Sequence, residues 1–195
     1  MTGPPHEPPH AAPQDGPREP GWKVLEQHEL FANPWFAVLR SRVRMPDGRT
    51  TTYHIVDYRT RAVGVVPRRA GQILLIHQYR FIVDRHVWAI PSGGAEGDEN
   101  LPAAAERELL EETGHRASEL RPLQRYFPSY GSGNQEFHIF EADVAAGEPV
   151  AFDRNEVLEV RWFTHAEVRD MLFRGGIVDG LSLTPLLLLC AREAW

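Results

Sequence analysis

Three glutamates stand at helical spacing in the middle of the sequence. Glu111 and Glu112 follow Glu108 by three and four positions, which in an α-helix places all three side chains on one face, with Cβ atoms about 5–6 Å apart. Like charges at this distance repel each other, and negative charge near a helix C-terminus is also unfavourable. A divalent cation would offset both costs, and carboxylate oxygens without a soft ligand nearby suit Mg²⁺ or Mn²⁺. The glutamates alone leave this metal site and a solvated acidic helix face both open.

The residues before and beside the glutamates favour the metal site. Gly93 and Gly94 form a pair that precedes the helix, and glycine lets the backbone approach a ligand or metal closely. Arg107 adjoins Glu108 and can hold a neighbouring carboxylate through a forked pair. Glu99 stands eight residues, about two helical turns, before Arg107.

These residues together match the Nudix box, G-x5-E-x7-R-E-U-x-E-E-x-G-U, where U is an apolar residue. The matching positions are Gly93, Glu99, Arg107, Glu108, Glu111, Glu112 and Gly114. Only the last position departs, because His115 stands where an apolar residue is usual. The box covers 23 positions, and a less specific likeness extends over about residues 22–195. The chain therefore resembles the Nudix hydrolases.

The resemblance implies metal-dependent hydrolysis of a nucleoside diphosphate linked to another moiety. It makes Glu108 and Glu112 direct ligands of Mg²⁺, with Mn²⁺ as the alternative ion, and makes the Ser92 carbonyl a backbone ligand. Glu111 would be a ligand or would act beside the ligands, and Arg107 would hold a neighbouring carboxylate. The implied fold is of the α/β (α+β) class: an α/β/α sandwich around a mixed β-sheet, with an N-terminal β-hairpin region.

Segments outside the box resemble the branch that cleaves ADP-ribose and other nucleoside diphosphate sugars. They are the stretch from His77 to Arg80, the tripeptide Pro91-Ser92-Gly93, and the stretch from Asn155 to Trp162. The leading hypothesis is therefore a pyrophosphohydrolase of that substrate class. A dinucleoside polyphosphate hydrolase is the alternative among enzymes. A non-catalytic nucleotide-sugar sensor is the alternative outside them, although such domains tend to lose the box carboxylates that this sequence keeps.

Two residues in these segments are candidate site residues. By the resemblance, Glu156 would act as base or extra metal ligand, whereas the alternative is an ordinary loop carboxylate. Glu159 is its nearest rival, but alternation with Leu158 and Val160 indicates a strand surface position. Arg80 would bind phosphate or ribose, and a surface salt bridge is the alternative.

Two aromatic residues are candidate substrate contacts. Trp35 would stack on an adenine, because the N-terminal strands of that branch often help to form the nucleotide site across a dimer; plain packing is the alternative. Tyr130 lies near the position where ADP-ribose pyrophosphatases usually carry a proline. A tyrosine about there resembles members that cleave dinucleoside polyphosphates, and an exposed loop position is the alternative. Ala89 stands where the ADP-ribose branch often has glutamate.

The elements that must position these residues follow from turn and cap signals. Asp47-Gly48 predicts a hairpin turn, Asn100 and Gly114 bracket a helix, Thr164-His165-Ala166-Glu167 is a capping box, and Thr184-Pro185 predicts the start of a last helix. The predicted strands cover residues 36–45, 50–58, 62–67, 72–79, 86–91, 123–127, 136–144 and 158–163. Strands with helices interspersed and at the end predict an α/β or α+β sandwich.

Composition sets the remaining expectations. The 195 residues carry a net charge of −6, which disfavours nucleic-acid binding through phosphates. The single cysteine, Cys190, excludes an intramolecular disulfide, and no apolar run approaches the length of a membrane span. We expect a cytoplasmic protein that binds no membrane, with a disordered Pro-rich tail (1–20), an N-terminal β region for dimerisation or substrate (21–60) and a Nudix domain (61–195). The resemblance implies a homodimer.

Overall fold

The computed structural model describes residues 21–147, 149–152 and 154–195. The predicted Pro-rich tail lies outside the described residues. The described residues form ten strands and three helices: β1 (Lys23–Ala32), β2 (Phe36–Arg44), β3 (Thr50–Tyr58), β4 (Ala62–Arg69), β5 (Gln72–Arg80), β6 (Arg85–Ala89), β7 (Ser92–Gly94), α1 (Leu101–Thr113), β8 (Ala117–Tyr126), β9 (Phe137–Val144), β10 (Glu159–Thr164), α2 (His165–Phe173) and α3 (Gly180–Glu193).

The chain divides into two compact units. The first contains the described residues up to 59 together with residues 131–134, and the second contains the described parts of 60–130 and 135–195. The first unit is a three-stranded antiparallel sheet in the order β1-β2-β3. Segment 131–134 joins it through hydrogen bonds to β3, among them one from the Val56 N–H to the Ser132 carbonyl at 2.8 Å and one from the Tyr58 N–H to Asn134 Oδ1 at 2.7 Å.

The second unit is built on a mixed seven-stranded sheet. Its main order is β10-β5-β4-β9-β8, with β6 paired to β5 and β7 paired to β4. The β4–β9 pair is parallel, and the other pairs are antiparallel. β4 therefore lies centrally, between β5 and β9, and it also holds the short strand β7.

Helices cover both faces of this sheet. Successive strand residues point to opposite faces, so Val65 joins the core beneath α1 with Ala105 and Leu109, while Val66 joins the core beneath α2 and α3 with Leu172 and other apolar residues. The α/β/α sandwich around a mixed sheet is thus confirmed.

Helix ends follow local capping chemistry. The Asn100 side chain accepts the Ala103 N–H at the start of α1, and the capping box of Thr164 and Glu167 is complete at α2. The last helix starts earlier than Thr184-Pro185 predicts, because the Asp179 carboxylate accepts two backbone N–H groups and caps a start at Gly180. In the described part of the chain, no helix combines the length and apolarity that a membrane crossing needs.

Candidate active site

Helix α1 presents the acidic cluster to strand β7. Its inner face is fixed by Ala105 and Leu109, which are fully buried against the sheet. The carboxylates of Glu108 and Glu112, three and seven positions after Ala105, reach the backbone of Ser92 and Gly93. Amphipathic packing of one helix thus brings two glutamates to the glycine-rich strand.

Arg107 is the centre of the polar network on this helix. Its guanidinium forks onto Glu99, with Nε to Oε1 and Nη2 to Oε2 both at 3.0 Å. Nη1 donates to Glu108 at 2.8 Å and to Glu111 at 3.0 Å, and Nη2 also donates to the Gly94 carbonyl at 2.9 Å. One cation therefore holds three box carboxylates and ties the helix to β7.

Glu112 is the most buried carboxylate of the cluster. The residue is 5% exposed, and its Oε2 accepts the Ser92 N–H at 2.7 Å. Burial raises the pKa of Glu112 to about 8; the bond from Ser92 and the positive charge of Arg80 oppose this rise, while the negative charges of Glu108 and Glu156 add to it. Without a cation, this carboxyl group therefore binds a proton near neutral pH.

Glu108 sits against a glycine that has no room for a side chain. A Cβ placed on Gly93 would overlap the Glu108 carboxylate, which supplies all three of its nearest atoms. Burial raises the pKa of Glu108, and the Arg107 guanidinium opposes that rise. The glycine thus lets a carboxylate lie directly on the backbone of β7.

Glu99 differs from these two glutamates in its electrostatics. The fork from Arg107 and the N–H of Glu96, which lies 3.0 Å from Oε2, hold its pKa below the ordinary value. The same fork raises the pKa of Arg107 further above its usual range. Glu99 therefore stays ionised and anchors the arginine, while Glu108 and Glu112 gain most from a neutralising ion.

Arg80 and Glu156 also lie close enough to Glu112 to affect its pKa, which the charge of Arg80 lowers and the charge of Glu156 raises. Both are exposed. Glu156 is followed by the fully buried Val157, and the N–H of the next residue, Leu158, donates to the His77 carbonyl at 2.8 Å. The loop carboxylate is thus held beside β5, the strand that ends in Arg80.

The remaining candidate residues lie elsewhere. Trp35 belongs to the first unit, is 66% exposed, and follows a turn in which Asn33 Oδ1 accepts its N–H at 2.9 Å. Tyr130 belongs to the second unit and is 87% exposed. Glu159 is an exposed residue of β10. The described contacts join neither Tyr130 nor Glu159 to the cluster.

Sequence reasoning missed two features of the box. The C-cap Gly114 has a φ of 70°, and a Cβ there would overlap the Val150 carbonyl, while the Val150 N–H donates to the Gly114 carbonyl at 3.0 Å. The end of α1 is therefore bonded to the segment that leads to Glu156. His115 fills its usually apolar position by burial, at 8% exposure, edge-on to the Trp162 ring.

The donor set at β7 and α1 fits a hard divalent cation. It consists of the carboxylate oxygens of the box glutamates, and oxygen ligands suit Mg²⁺ or Mn²⁺. The cradle at Gly93 and the raised pKa of buried Glu112 both favour bound positive charge. Among the described residues, no group of three or more His, Cys, Asp or Glu side chains is already gathered around one point.

Two family models match the chain. The model described as NUDIX domain matches residues 58–180. The model described as nucleoside diphosphate sugar hydrolase N-terminal domain matches residues 22–56. Between them the two models span nearly all of the described chain.

Named relatives match over most of their length. A CMP-5'-(N-acetyl-N-hydroxy-3-aminopropyl)phosphonate hydrolase of Streptomyces rubellomurinus is 33% identical, over 85% of this chain and 81% of the relative. An ADP-ribose pyrophosphatase of Mycobacterium tuberculosis is 27% identical, over 87% of this chain and 83% of the relative. A crystal structure of an ADP compounds hydrolase superposes with a TM-score of 0.76 at 19% identity, over 89% of this chain and 93% of that one, which shows a shared fold.

Proposed function

The chain belongs to the Nudix hydrolase family, and from that premise we propose that it hydrolyses the pyrophosphate bond of ADP-ribose or a similar nucleoside diphosphate sugar with Mg²⁺. The products would be a nucleoside monophosphate and a sugar phosphate. The observation that carries the proposal is the Arg107 network, which holds Glu99, Glu108 and Glu111 beside the buried Glu112. The N-terminal domain match and the ADP-ribose pyrophosphatase relative support the substrate class.

Glu108 and Glu112 would hold the cation, with Glu111 and the Ser92 carbonyl as further oxygen donors. A divalent ion supplies the positive charge that neutralises diphosphate oxygens and polarises water. Arg107 would keep Glu108 in place, because its Nη1 bond restricts the rotation of that side chain. Glu112, on which burial favours a proton, would give up that proton when it holds the cation.

Glu156 would accept the proton of the attacking water. Its anchors at Val157 and Leu158 hold it within electrostatic range of Glu108 and Glu112. Water adds to one phosphorus, the bond from that phosphorus to the bridging oxygen breaks, and the second phosphate leaves with that oxygen. Arg80, whose positive charge lowers the pKa of Glu112, would bind the diphosphate. It would stabilise the negative charge that develops on the leaving phosphate.

Substrate breadth is tested by product analysis with Mg²⁺. The panel is ADP-ribose, ADP-glucose, GDP-mannose, CDP-choline and diadenosine polyphosphates, with Glu112→Gln as the inactive control. CDP-choline enters because the 33% identical relative is named for a CMP conjugate. AMP and ribose phosphate from ADP-ribose would support the proposal. Cleavage of dinucleotides alone would favour the polyphosphate hydrolase and a role for Tyr130, and tight binding without cleavage would favour a sensor.

We also propose that the chain is a cytoplasmic homodimer in which the N-terminal β region, residues 21–60, contributes to dimerisation or substrate binding through Trp35. The match of residues 22–56 to a nucleoside diphosphate sugar hydrolase N-terminal domain supports this assignment. Light scattering on the full chain gives the oligomeric state, and a monomer would contradict it. Trp35→Ala should then raise KM for ADP-ribose while leaving kcat close to that of the wild type.

A further inference from the structure

A cavity lies on the α1 face of the sheet, at the far end of the box helix. Its volume is about 290 Å³, near the lower limit of about 300 Å³ for small-molecule pockets. The lining residues are Arg69, Leu74, Thr113, His115, Gly147, Pro149, Phe152, Val160 and Trp162. None of them belongs to the proposed metal and diphosphate set, and all lie in the second unit.

Arg69 gives this cavity its charge. Strand alternation sends Arg68 and Arg69 to opposite faces of β4. Arg68 is paired, with bonds of 2.7 Å from Nη1 and Nη2 to Glu193 and a further bond to Glu141. Arg69 instead lies 4.3 Å from the Trp162 ring centroid, and within residues 21–147, 149–152 and 154–195 no carboxylate pairs with it. A half-buried guanidinium that has no carboxylate partner among the described residues favours an anionic ligand.

The walls of the cavity favour a flat apolar body. Trp162, Phe152 and His115 contribute rings, Leu74 and Val160 contribute aliphatic surface, and none of the described lining residues is acidic. Aromatic side chains bind planar rings by offset or edge contacts. The cavity therefore combines aromatic walls with the Arg69 guanidinium, and the Arg154 guanidinium lies 5.4 Å from the centroid of the Phe152 ring.

We propose that this cavity is a second ligand site, which binds a small planar aromatic acid with its anionic group on Arg69 and its ring against the aromatic walls. The volume limits the ligand to one or two fused rings with a carboxylate or a similar group. The site is separate from the proposed hydrolytic centre, and its occupancy is measured by binding alone.

Calorimetric titration of the full chain with indole-3-carboxylate tests the site, with indole as the uncharged probe of the same ring. We expect one site that binds the carboxylate about tenfold more tightly than indole, as a charge-assisted bond predicts. Arg69→Gln should remove this preference. Arg161→Gln is the matched control, because the Arg161 guanidinium lies 4.1 Å from the Phe163 ring centroid and β10 alternation sends it to the other face.

Equal binding by Arg69→Gln and wild type would overturn the proposal, as would equal losses in the Arg69 and Arg161 variants or no binding of either probe. Loss of binding in Arg80→Gln would also overturn it, because the probe would then occupy the hydrolytic centre. If Arg69→Gln does not fold, amide chemical shifts of the wild-type chain still decide the question. Indole-3-carboxylate must change the amide chemical shifts of His115 and Gly147, and unchanged shifts at both residues would contradict the site.

Discussion

The backbone N–H of Ser92 donates a 2.7 Å hydrogen bond to Oε2 of Glu112. This bond joins β7 to the last turn of α1, and it places the backbone of Ser92 beside the most buried carboxylate of the cluster. Because the bond opposes the cost of burial, it lowers the pKa of Glu112, but burial still raises that pKa to about 8. In the metal-free protein the negative charge of the buried Glu112 carboxylate is therefore unfavourable. A bound cation or a proton neutralises it.

The first prediction concerns the stability of the metal-free protein against pH. The pKa of Glu112 is about 8 when folded against an ordinary value of 4.5, so the folded chain binds more protons than the unfolded chain between these values. Its stability must fall as pH rises through this window, by at most about 1.4 kcal/mol per pH unit for one group. Glu112→Gln should remove that slope. Denaturant unfolding from pH 5 to 8 in a chelator measures it, and parallel wild-type and variant curves would contradict the assignment.

The second prediction uses the two neighbouring glycines of β7. Gly93→Ala should displace the Glu108 carboxylate, because the new Cβ would occupy its place, and we expect kcat to fall about 100-fold, as for a misplaced reacting group. Gly94→Ala is the matched control, since its nearest neighbour would be Thr60 Oγ1 at 3.9 Å. Its kcat should stay within about twofold of wild type. Steady-state kinetics separates the pair, and equal losses would show that the overlap with the Glu108 carboxylate is not the cause.

The third prediction concerns the forked bonds of Arg107. Arg107→Lys keeps the charge but cannot reproduce the fork onto Glu99. Because Glu108 would lose its orientation, we expect Mg²⁺ affinity to fall about 10- to 100-fold, as for other residues that orient metal ligands. Magnesium titration of activity and of thermal stability measures the change.

Arg121 provides the control for that experiment. It too bonds two carboxylates, those of Glu119 and Asp143, each at 2.8 Å. The three side chains lie on β8 and β9 and are largely exposed, so Arg121→Lys should cost little. A similar loss of magnesium affinity in both lysine variants would count against a special role for Arg107.

Local sequence signals predicted many of the strands and helices of the second unit. Helix α1 begins after Asn100 and ends at Thr113 as the cap signals indicate, because these caps act within one turn. Strand β8 begins at Ala117, before the predicted strand at 123–127, and Pro122 lies inside it. The strand continues because β8 is at the edge of the sheet and shifts register between Pro122 and Gln124.

Other parts of the structure depend on long-range pairing. The polar sequence of β1 carries no clear alternation, and the strand forms because β2 pairs with it. Segment 131–134 joins the first unit although it lies over seventy residues from β3. The bond from Arg107 to the Gly94 carbonyl, like that from Val150 to Gly114, involves backbone atoms. Hydrogen bonds to backbone atoms cannot be predicted from the order of side-chain types in the sequence.

The fourth prediction compares two glycines with nearly equal backbone angles. Gly114 has a φ of 70° and Gly71 a φ of 74°, so alanine at either site costs about 1–2 kcal/mol in the left-handed region. At Gly114 the new Cβ would also overlap the Val150 carbonyl, whereas nothing lies within 4 Å at Gly71. Gly114→Ala should therefore lose more stability and should also lower kcat, because the displaced segment leads to Glu156.

Denaturant unfolding and kcat, measured on both alanine variants, test this comparison. Gly71→Ala reports the backbone cost by itself, and its kcat should match wild type. A Gly114→Ala protein with the same stability and turnover as Gly71→Ala would mean that the contact with Val150 has no part in positioning the loop.

The last prediction separates two glutamates that stand three residues apart. The charge of Glu156 contributes to the pKa shifts of both Glu108 and Glu112, whereas Glu159 is an exposed residue of β10 that pairs with His77. Glu156→Gln should lower kcat about 10²- to 10⁴-fold, as expected for loss of a general base. Glu159→Gln should leave kcat unchanged, and steady-state kinetics on both variants measures the difference. If instead Glu159→Gln lowers kcat to this extent and Glu156→Gln does not, the base lies on the strand, and the loop that ends at Val157 does not supply it.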